Sequence, residues 1–553
     1  MEIKSVNKLF EKSFRENWER PALSNYEGDT CTYEELATKI ELLHMGFERC
    51  GLKKGDKVAI CGRNQANWAV AFLASLTYGA VPVPILHEFK AGSIHYLVNH
   101  SDAKAMFVDE VIWEHLSEDE MPGLVVIISM VDLKYIYSRS EEMQRIRNGI
   151  FRAFLEKHPE RLKPEDLNYH EDSPDELALI NYTSGTSGFS KGVMIPYRAL
   201  YVNMYTAHYV SEPQMDNTSN MVAMLPSAHM YGLMFELLFE MTIGAHTHFL
   251  TRVPSPKIIM KAFRDIHPAV IISVPLIIEK VYKMQLKPIL DRTKTFRKIP
   301  LLGQAIEYKI REEMIQSFGG EFEEVILGGA AFNPEVEKFM HHIRFPYTTG
   351  YGMTECAPLL TYEHFSKLPY GSCGKPIPGC SLRIDSPDPE NVPGEVQVRG
   401  DNVFLGYYKN ESETEKCFTD DGWFRTGDMG VLDRNGYLYL RGRCKCMILG
   451  PSGQNIYPEE LEAVVNNVSY VVDSLVVEDE GALTAIIYPD FPQAMKDGMD
   501  NVGIKDYLKS RLPEINKELP AYAQIRKMEF ISEDFERTPK RSIKRYLYQR
   551  NGK

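Results

Sequence analysis

From Tyr182 to Gly192 the chain reads YTSGTSGFSKG, a run of hydroxyl side chains and glycines that ends at a single lysine, Lys191. Such a loop can offer bare backbone N–H groups, hydroxyl donors and one cation to a polyphosphate. The spacing is G-x-x-G-x-x-K, and Lys191 is followed by Gly-Val-Met-Ile and Pro196 rather than by Ser/Thr and an immediate helix. This is therefore not a Walker A loop, and a helix N-terminus is not the expected phosphate grip. One Ser/Gly dipeptide is usually a solvated turn; an 11-residue run of this kind is far more specific. Further along, TGYGMTECAP (Thr349–Pro358) sets Thr354 beside Glu355, a hydroxyl donor next to an oxygen ligand. One carboxylate plus substrate phosphates is a reasonable Mg²⁺ site.

Several other segments carry chemistry-bearing residues. They are LPSAHMYGL (Leu225–Leu233), LGGAAF (Leu327–Phe332), GWFRTGD (Gly422–Asp428), RGRCKCMILGPSGQNIYPEELE (Arg441–Glu462) and TPKRSIKR (Thr538–Arg545). Together with the phosphate loop, and in this order, they resemble the adenylate-forming superfamily of acyl-CoA synthetases, luciferases and peptide-synthetase adenylation domains. The resemblance spans residues 182 to 545. The chemistry it implies is two-step: a carboxylate attacks the α-phosphate of ATP, giving acyl-adenylate and pyrophosphate, and a thiol then displaces AMP. Both steps build negative charge on oxygen, so fixed donors and cations should supply most of the acceleration.

The resemblance also implies roles, residue by residue. Thr183, Ser184, Gly185, Thr186, Ser187, Gly188 and Lys191 would hold the β- and γ-phosphates, with Thr354 on the α-phosphate and Glu355 holding Mg²⁺. Tyr351 would stack on adenine, with Gly352 beside it and Gly329 and Ala330 leaving room for the base. Asp428 would accept from the ribose hydroxyls, with Arg443 reaching the same sugar. His229 would be a gate between the acyl site and the thiol tunnel rather than a general base; a lone histidine in apolar surroundings is more often a core residue. Lys544 would bridge carboxylate and α-phosphate oxygens during adenylation, as suits a compact ammonium. Ile543 precedes it where many relatives carry glycine, and Cys446 stands at the hinge where the family often has Asp, Lys or Asn. After a rotation of the small domain, the loop with Gly450, Ser452 and Gly453 would replace Lys544 and line the pantetheine tunnel.

The elements that must position these residues can be read from periodicity. Strand-like Lys57–Cys61, Ala105–Val108, Leu124–Ile128, Ala269–Ser273 and Glu324–Leu327 alternate with helix-patterned Tyr33–Glu48 and Ala66–Leu76. That rhythm predicts an α/β fold with mostly parallel sheets. Between Gly371 and Gly442 it gives way to short strands punctuated by Gly and Pro, a small β-rich subdomain. Past Gly442 a helix from Pro458, strands Val471–Val477 and Leu483–Tyr488, a helix near Lys505–Leu512 and a strand near Met528–Ile531 read as a separate, mobile α+β domain. The expected division is 1–444, binding AMP and the acyl group, and 445–553, carrying the adenylation lysine.

Length and charge limit the alternatives. The chain has 553 residues and a net charge of −13, so two or more cores are expected and nucleic acid is a poor partner. The tail from Arg537 to Lys553 is the exception, with seven basic residues and no acid. Nine cysteines without a C-x-x-C pair predict a reduced, cytoplasmic setting. A polar N-terminus and the lack of an 18-residue apolar run predict neither signal peptide nor membrane span. The most apolar stretch, Tyr231 to Ala245, is interrupted by Glu236 and Glu240 and reads as a core helix. VPLIIEKVYK (Val274–Lys283) and GSCGKPIPG (Gly371–Gly379) look most like long-chain fatty-acyl-CoA synthetases, so ATP, Mg²⁺, CoA and a medium- or long-chain fatty acid are the expected cofactors and substrates. Met230, Leu233, Met234, Leu237 and Leu238 could line an acyl pocket, although helical spacing of apolar residues is more often plain core. Two alternatives stay open: a carrier protein as thiol acceptor, and a nucleotide-binding sensor that has lost catalysis. Peripheral contact with a membrane also stays open.

Overall fold

The structure is a computed structural model that describes residues 2–138, 141–183, 190–211, 214–252, 255–449, 454–479, 481–538 and 542–550. Its centre is α/β. One sheet runs Val81–Ile85, Lys57–Cys61, Ala103–Val108, Val126–Ser129 and Tyr135–Ser138, with the first four strands parallel. A second joins Asn220–Ala223, His246–Phe249 and Pro21–Asn25 in parallel and adds Thr30–Thr32 antiparallel at its edge. A third, all parallel, holds Ile271–Ser273, Val325–Leu327 and Tyr347–Thr349. Parallel strands need covered faces, and the helix Ala66–Tyr78 supplies such cover, with 11 of its residues buried. The helix Tyr33–Arg49 starts on a reciprocal cap in which Thr32 and Glu35 satisfy each other's backbone N–H groups.

The expectation of mostly parallel sheets holds for these three and fails elsewhere. Leu177–Thr183 and Lys191–Pro196 pair antiparallel, because so short a connection cannot cross over. The anticipated β-rich region is a four-stranded antiparallel sheet, Cys380–Asp385, Gly394–Gly400, Phe424–Leu432 and Leu438–Arg443. Beyond it, Val471–Asp479, Ala482–Pro489 and Lys527–Phe530 form a sheet against the helices Pro458–Asn466 and Asn501–Glu518. Their core is assembled from buried residues between Ile456 and Ile525 alone. Among the described residues no helix is long and apolar enough to cross a membrane.

Among the described residues of the basic tail, each cation pairs with acids from its own end of the chain. Arg537 pairs with Asp473 and Asp534, Lys544 with Glu536, Arg545 with Glu462, and Arg550 with Asp479 and Glu529.

One buried titration gives acid sensitivity. His44 lies between Tyr78 and Tyr169, and its Nε2 meets the Ala74 carbonyl and Thr77 Oγ1 at 3.0 and 3.1 Å. Burial pushes its pKa down from 6.5 to about 4. The neutral ring is favoured in the fold, so its contribution is complete above pH 6.5 and is lost as pH falls towards 4, where the unfolded chain binds a proton the fold refuses. The expected loss approaches about 3 kcal/mol. Thermal unfolding midpoints of His44→Gln between neutral and acid pH should fall less steeply than those of the parent; parallel curves would refute the assignment.

Candidate active site

The hairpin brings its two ends together: Thr183 is directly opposite Lys191 across the strand pair. Lys191 Nζ donates to Glu413 at 2.6 Å and sits 4.7 Å from the ring centre of Tyr407. The ammonium groups of Lys191 and Lys416 hold the Glu413 carboxyl down to about 2. Tyr407 in turn donates its O–H to Glu355 Oε1 at 2.9 Å. Lys191 and Glu355, which are 164 positions apart, thus share one aromatic neighbour. Ser184, Gly185, Thr186, Ser187 and Gly188 lie outside the described residues.

Tyr351 and Asp428 form a second buried unit. Tyr351 donates to Asp428 Oδ2 at 2.7 Å, and Arg443 Nε lies 3.2 Å from Oδ1. Asp428 and Arg443 are cross-strand partners, which explains why the arginine reaches the carboxylate. Burial raises the Asp428 carboxyl, and Arg443 and the Tyr351 hydrogen bond oppose that rise. The Tyr351 phenol is itself pushed well above its ordinary value by burial and by the neighbouring carboxylate.

Between these units runs the segment Thr354–Cys356, a single tight helical turn with Thr354 and Glu355 buried. Asn203 fixes it from two directions, donating to the Cys356 carbonyl at 3.1 Å and accepting from Leu359 N at 2.9 Å. The chain doubles back so closely that a Cβ on Gly352 would stand 2.1 Å from the Pro358 carbonyl oxygen. Backbone cannot yield as a flexible side chain would. Gly352→Ala is therefore expected to displace Thr354 and lower kcat/KM by about 100-fold, since ångström-scale misplacement costs that much, while the protein stays folded by circular dichroism. Unchanged turnover would show that the turn tolerates a methyl group.

The histidine loop is held just as tightly. Asn64 accepts from Ser227 N at 2.8 Å and donates to the Leu225 carbonyl, and Asn181 donates to the Ala228 carbonyl at 3.0 Å. Buried Glu236 accepts from Met224 N and Leu225 N at 3.2 and 2.9 Å. His229 caps the helix that follows, its Nδ1 accepting from Tyr231 N at 3.5 Å. The helix continues through Met234–Leu238, which has π-helical hydrogen bonding, to Phe239–Ile243. The core helix read from Tyr231–Ala245 is present, with Glu236 and Glu240 both inside it.

A cavity opens beside His229, Gly329, Tyr351, Gly352 and Thr354. Its walls are mainly apolar, with Met215, Met221, Phe235, Phe239, Val270 and Ile272 among them. Of the five apolar candidates after His229, only Met230 lines it; Leu233, Met234, Leu237 and Leu238 face elsewhere in the core. Tyr231, Phe235 and Phe239, spaced by four, present the cavity face instead. Gly329 takes a φ of +81°, a conformation that favours glycine, and Ala330 follows it outside the cavity lining.

The structure does not bring Lys544 to this site. Its Nζ pairs with Glu536 at 3.0 Å, and it is not among the cavity residues. Gly450, Ser452 and Gly453 lie outside the described residues. Sequence reasoning missed Tyr407, Glu413, Asn181, Asn203 and Glu236, none of which stands in a recognisable local pattern with its partner. As for Mg²⁺, Glu355 offers one buried carboxylate, and no group of three or more His, Cys, Asp or Glu side chains among the described residues could hold a metal unaided. A lone carboxylate next to hydroxyl and lysine groups fits an ion that brings phosphate oxygens with it.

Comparison with known proteins agrees with this geometry. Residues 10–408 match the AMP-binding enzyme family and residues 447–551 the AMP-binding enzyme C-terminal domain. The long-chain-fatty-acid–CoA ligase FadD15 of Mycobacterium bovis is 27% identical over 490 residues, covering 84% of this chain and 78% of its own. Long-chain-fatty-acid–CoA ligase 1 of Saccharomyces cerevisiae is 27% identical over 539 residues, covering 87% and 74%. Among solved structures, ATP-bound MatB from Rhodopseudomonas palustris superposes with a TM-score of 0.76 at 22% identity, covering 99% and 98%. The o-succinylbenzoate CoA synthetase of Bacillus subtilis with its acyl-adenylate intermediate gives 0.74 at 22% identity, covering 100% and 99%. With 399 of 553 residues inside the family match, the chain belongs to the AMP-binding enzyme family.

Proposed function

We propose that the protein is an AMP-forming fatty acid–CoA ligase acting on medium- or long-chain acids. The observation that carries this reading is the apolar cavity that opens beside Thr354. A chain of methylenes buried there gains on the order of 0.8 kcal/mol per group, while its carboxylate end stays next to the phosphate-binding side chains. The names of the curated relatives support the same substrate class and CoA as acceptor.

In the first step a carboxylate oxygen attacks the α-phosphorus, the bond to the bridging oxygen of pyrophosphate breaks, and acyl-adenylate forms. Thr183, Ser184, Thr186, Ser187 and Lys191 grip the β- and γ-phosphates, and Thr354 donates to an α-phosphate oxygen. Lys191 must exchange Glu413 for phosphate to do so, and Glu413 stays ionised as the alternative partner. Tyr407, hydrogen-bonded to Glu355, keeps that carboxylate aimed. Bound through Glu355 and the phosphates, Mg²⁺ would neutralise charge that develops on the phosphate oxygens. Asp428 and Arg443 receive the ribose, and Tyr351 packs against the adenine with Gly329, Ala330 and Gly352 alongside. Lys544 joins the carboxylate and α-phosphate oxygens in this step.

In the second step the CoA sulfur attacks the acyl carbon, the carbon–oxygen bond to AMP breaks, and the thiol proton leaves to solvent. We place the pivot at Cys446, so that the domain 445–553 withdraws Lys544 and brings the loop with Gly453 to the pantetheine path beside His229. Peripheral membrane contact and a carrier-protein acceptor are not needed for this scheme. Pyrophosphate release with ATP and Mg²⁺ across acids of increasing length, with and without CoA and with products identified by mass, tests it. Acyl-CoA that peaks at longer chains is expected; adenylate that never becomes thioester would point to another acceptor.

A further inference from the structure

The helical run Pro275–Val281, Tyr282–Leu286 and Lys287–Thr293 has two faces. Ile278, Val281, Tyr282, Leu286 and Leu290 are buried in one hydrophobic core, while Met284 and Ile289 are exposed. The chain then turns through Phe296–Lys298, and Phe296, Ile299, Leu301 and Leu302 are exposed as well. Single apolar side chains on a surface are ordinary, but a succession like this one marks a contact face.

The loop is built to hold these side chains out. Leu301 takes φ +67° and ψ −49°, a conformation that strains a residue with a β-carbon, and it is 79% exposed. It also stands at the N-cap of the helix Leu302–Ser317, where a side chain that accepts from the backbone is usual and none does so. The turn is nonetheless tight. Gly303 lies so close to the Arg297 carbonyl that no Cβ would fit, and the Arg297 side chain is held by Glu307 at 3.4 Å and by the Phe339 ring. A strained leucine and an apolar cap at an exposed tip do nothing for the fold itself, so their use lies outside it.

The charge of this face runs against that of the chain. The whole sequence carries −13, yet residues 280–298 hold seven basic side chains and one acid, Asp291. Lys283 is taken up by the Asn466 carbonyl at 3.0 Å and Arg297 by Glu307. Lys280, Lys287, Arg292, Lys294 and Lys298 make no ion pair among the described residues. A nucleic acid or an acidic protein would use these cations but gain nothing from aliphatic tips. A bilayer with anionic headgroups answers both, since lysine stems lie along apolar surface while their ammonium groups reach phosphate.

We propose that this face, from Lys280 to Leu302, docks the protein on an anionic lipid surface. Leu301 and Leu302 enter the acyl boundary, and Arg292, Lys294 and Lys298 meet the headgroups. The inference goes beyond the ligase reading and does not depend on it.

Sedimentation of the full-length protein with vesicles tests it. Binding to phosphatidylcholine vesicles with about one-third phosphatidylglycerol should exceed binding to pure phosphatidylcholine by at least about tenfold, and should weaken as salt is raised. Lys294→Gln with Lys298→Gln should weaken it by about tenfold through charge alone. Leu301→Ser with Leu302→Ser should weaken it comparably, whereas Val502→Ser, at an apolar residue 65% exposed in the domain 445–553, should leave it unchanged. Leu301→Gly, which suits the positive φ, should weaken binding without lowering the thermal midpoint, so that loss of docking is separated from loss of folding. No binding to either vesicle, equal binding to both, or binding that neither double variant weakens would overturn the proposal. A dimer of the parent that Leu301→Ser with Leu302→Ser dissociates would overturn it too, giving the face to a second copy of the chain.

Discussion

Replacing Lys544 by alanine is expected to slow acyl-adenylate formation by about 10²–10³-fold, the scale of losing one preorganised charge contact in a transition state. Thioester formation from preformed acyl-adenylate should stay within about threefold of the parent. Lys544 is paired with Glu536 at 3.0 Å and is not among the cavity residues, so the proposed scheme has it act only in an orientation that carries it to the phosphates. Separate assays of the two half-reactions decide the matter. Equal losses in both would remove Lys544 from its assigned role and mark it as a structural partner of Glu536.

Asp428→Ala should have the next largest effect, a rise of about 10- to 100-fold in the KM for ATP with a smaller change in kcat. Two donors converge on this carboxylate, Tyr351 at 2.7 Å and Arg443 at 3.2 Å. Under the proposed assignment its removal takes away the ribose acceptor, and it leaves the buried Tyr351 phenol without its partner. Asp428→Asn keeps the shape and one acceptor and should fall between the two. An ATP titration followed by pyrophosphate release measures each variant; a KM unchanged in Asp428→Ala would place the ribose elsewhere.

The motifs were legible because each packs its chemistry into a short stretch of chain. Thr354 and Glu355 are adjacent, and the hydroxyls leading to Lys191 follow one another. The strand Lys57–Cys61 begins and ends where its apolar run does, and the helix expected over Tyr33–Glu48 extends one residue further, to Arg49. The antiparallel pairing of Leu177–Thr183 with Lys191–Pro196 was less visible, since a strand's own pattern does not say which neighbour it will choose. The cavity face could not be picked out for a related reason. Apolar residues surround the helix after His229 on every side, so periodicity could not separate Phe235 and Phe239 from Leu237 and Leu238, and the π-helical turn shifted the phase further.

By itself, the sequence determined the order of the motifs, the α/β class and the short segments that concentrate hydroxyls, glycines, carboxylates and lysines. All of these depend on residues near one another along the chain. Only the tertiary structure decided that Glu413 and Tyr407 stand beside Lys191 and that Asn203 and Asn181 pin the loops that carry Thr354 and His229. Those relations join residues up to 222 positions apart. Burial and hydrogen bonding at such distances are properties of how the layers close on one another, and no local pattern encodes them.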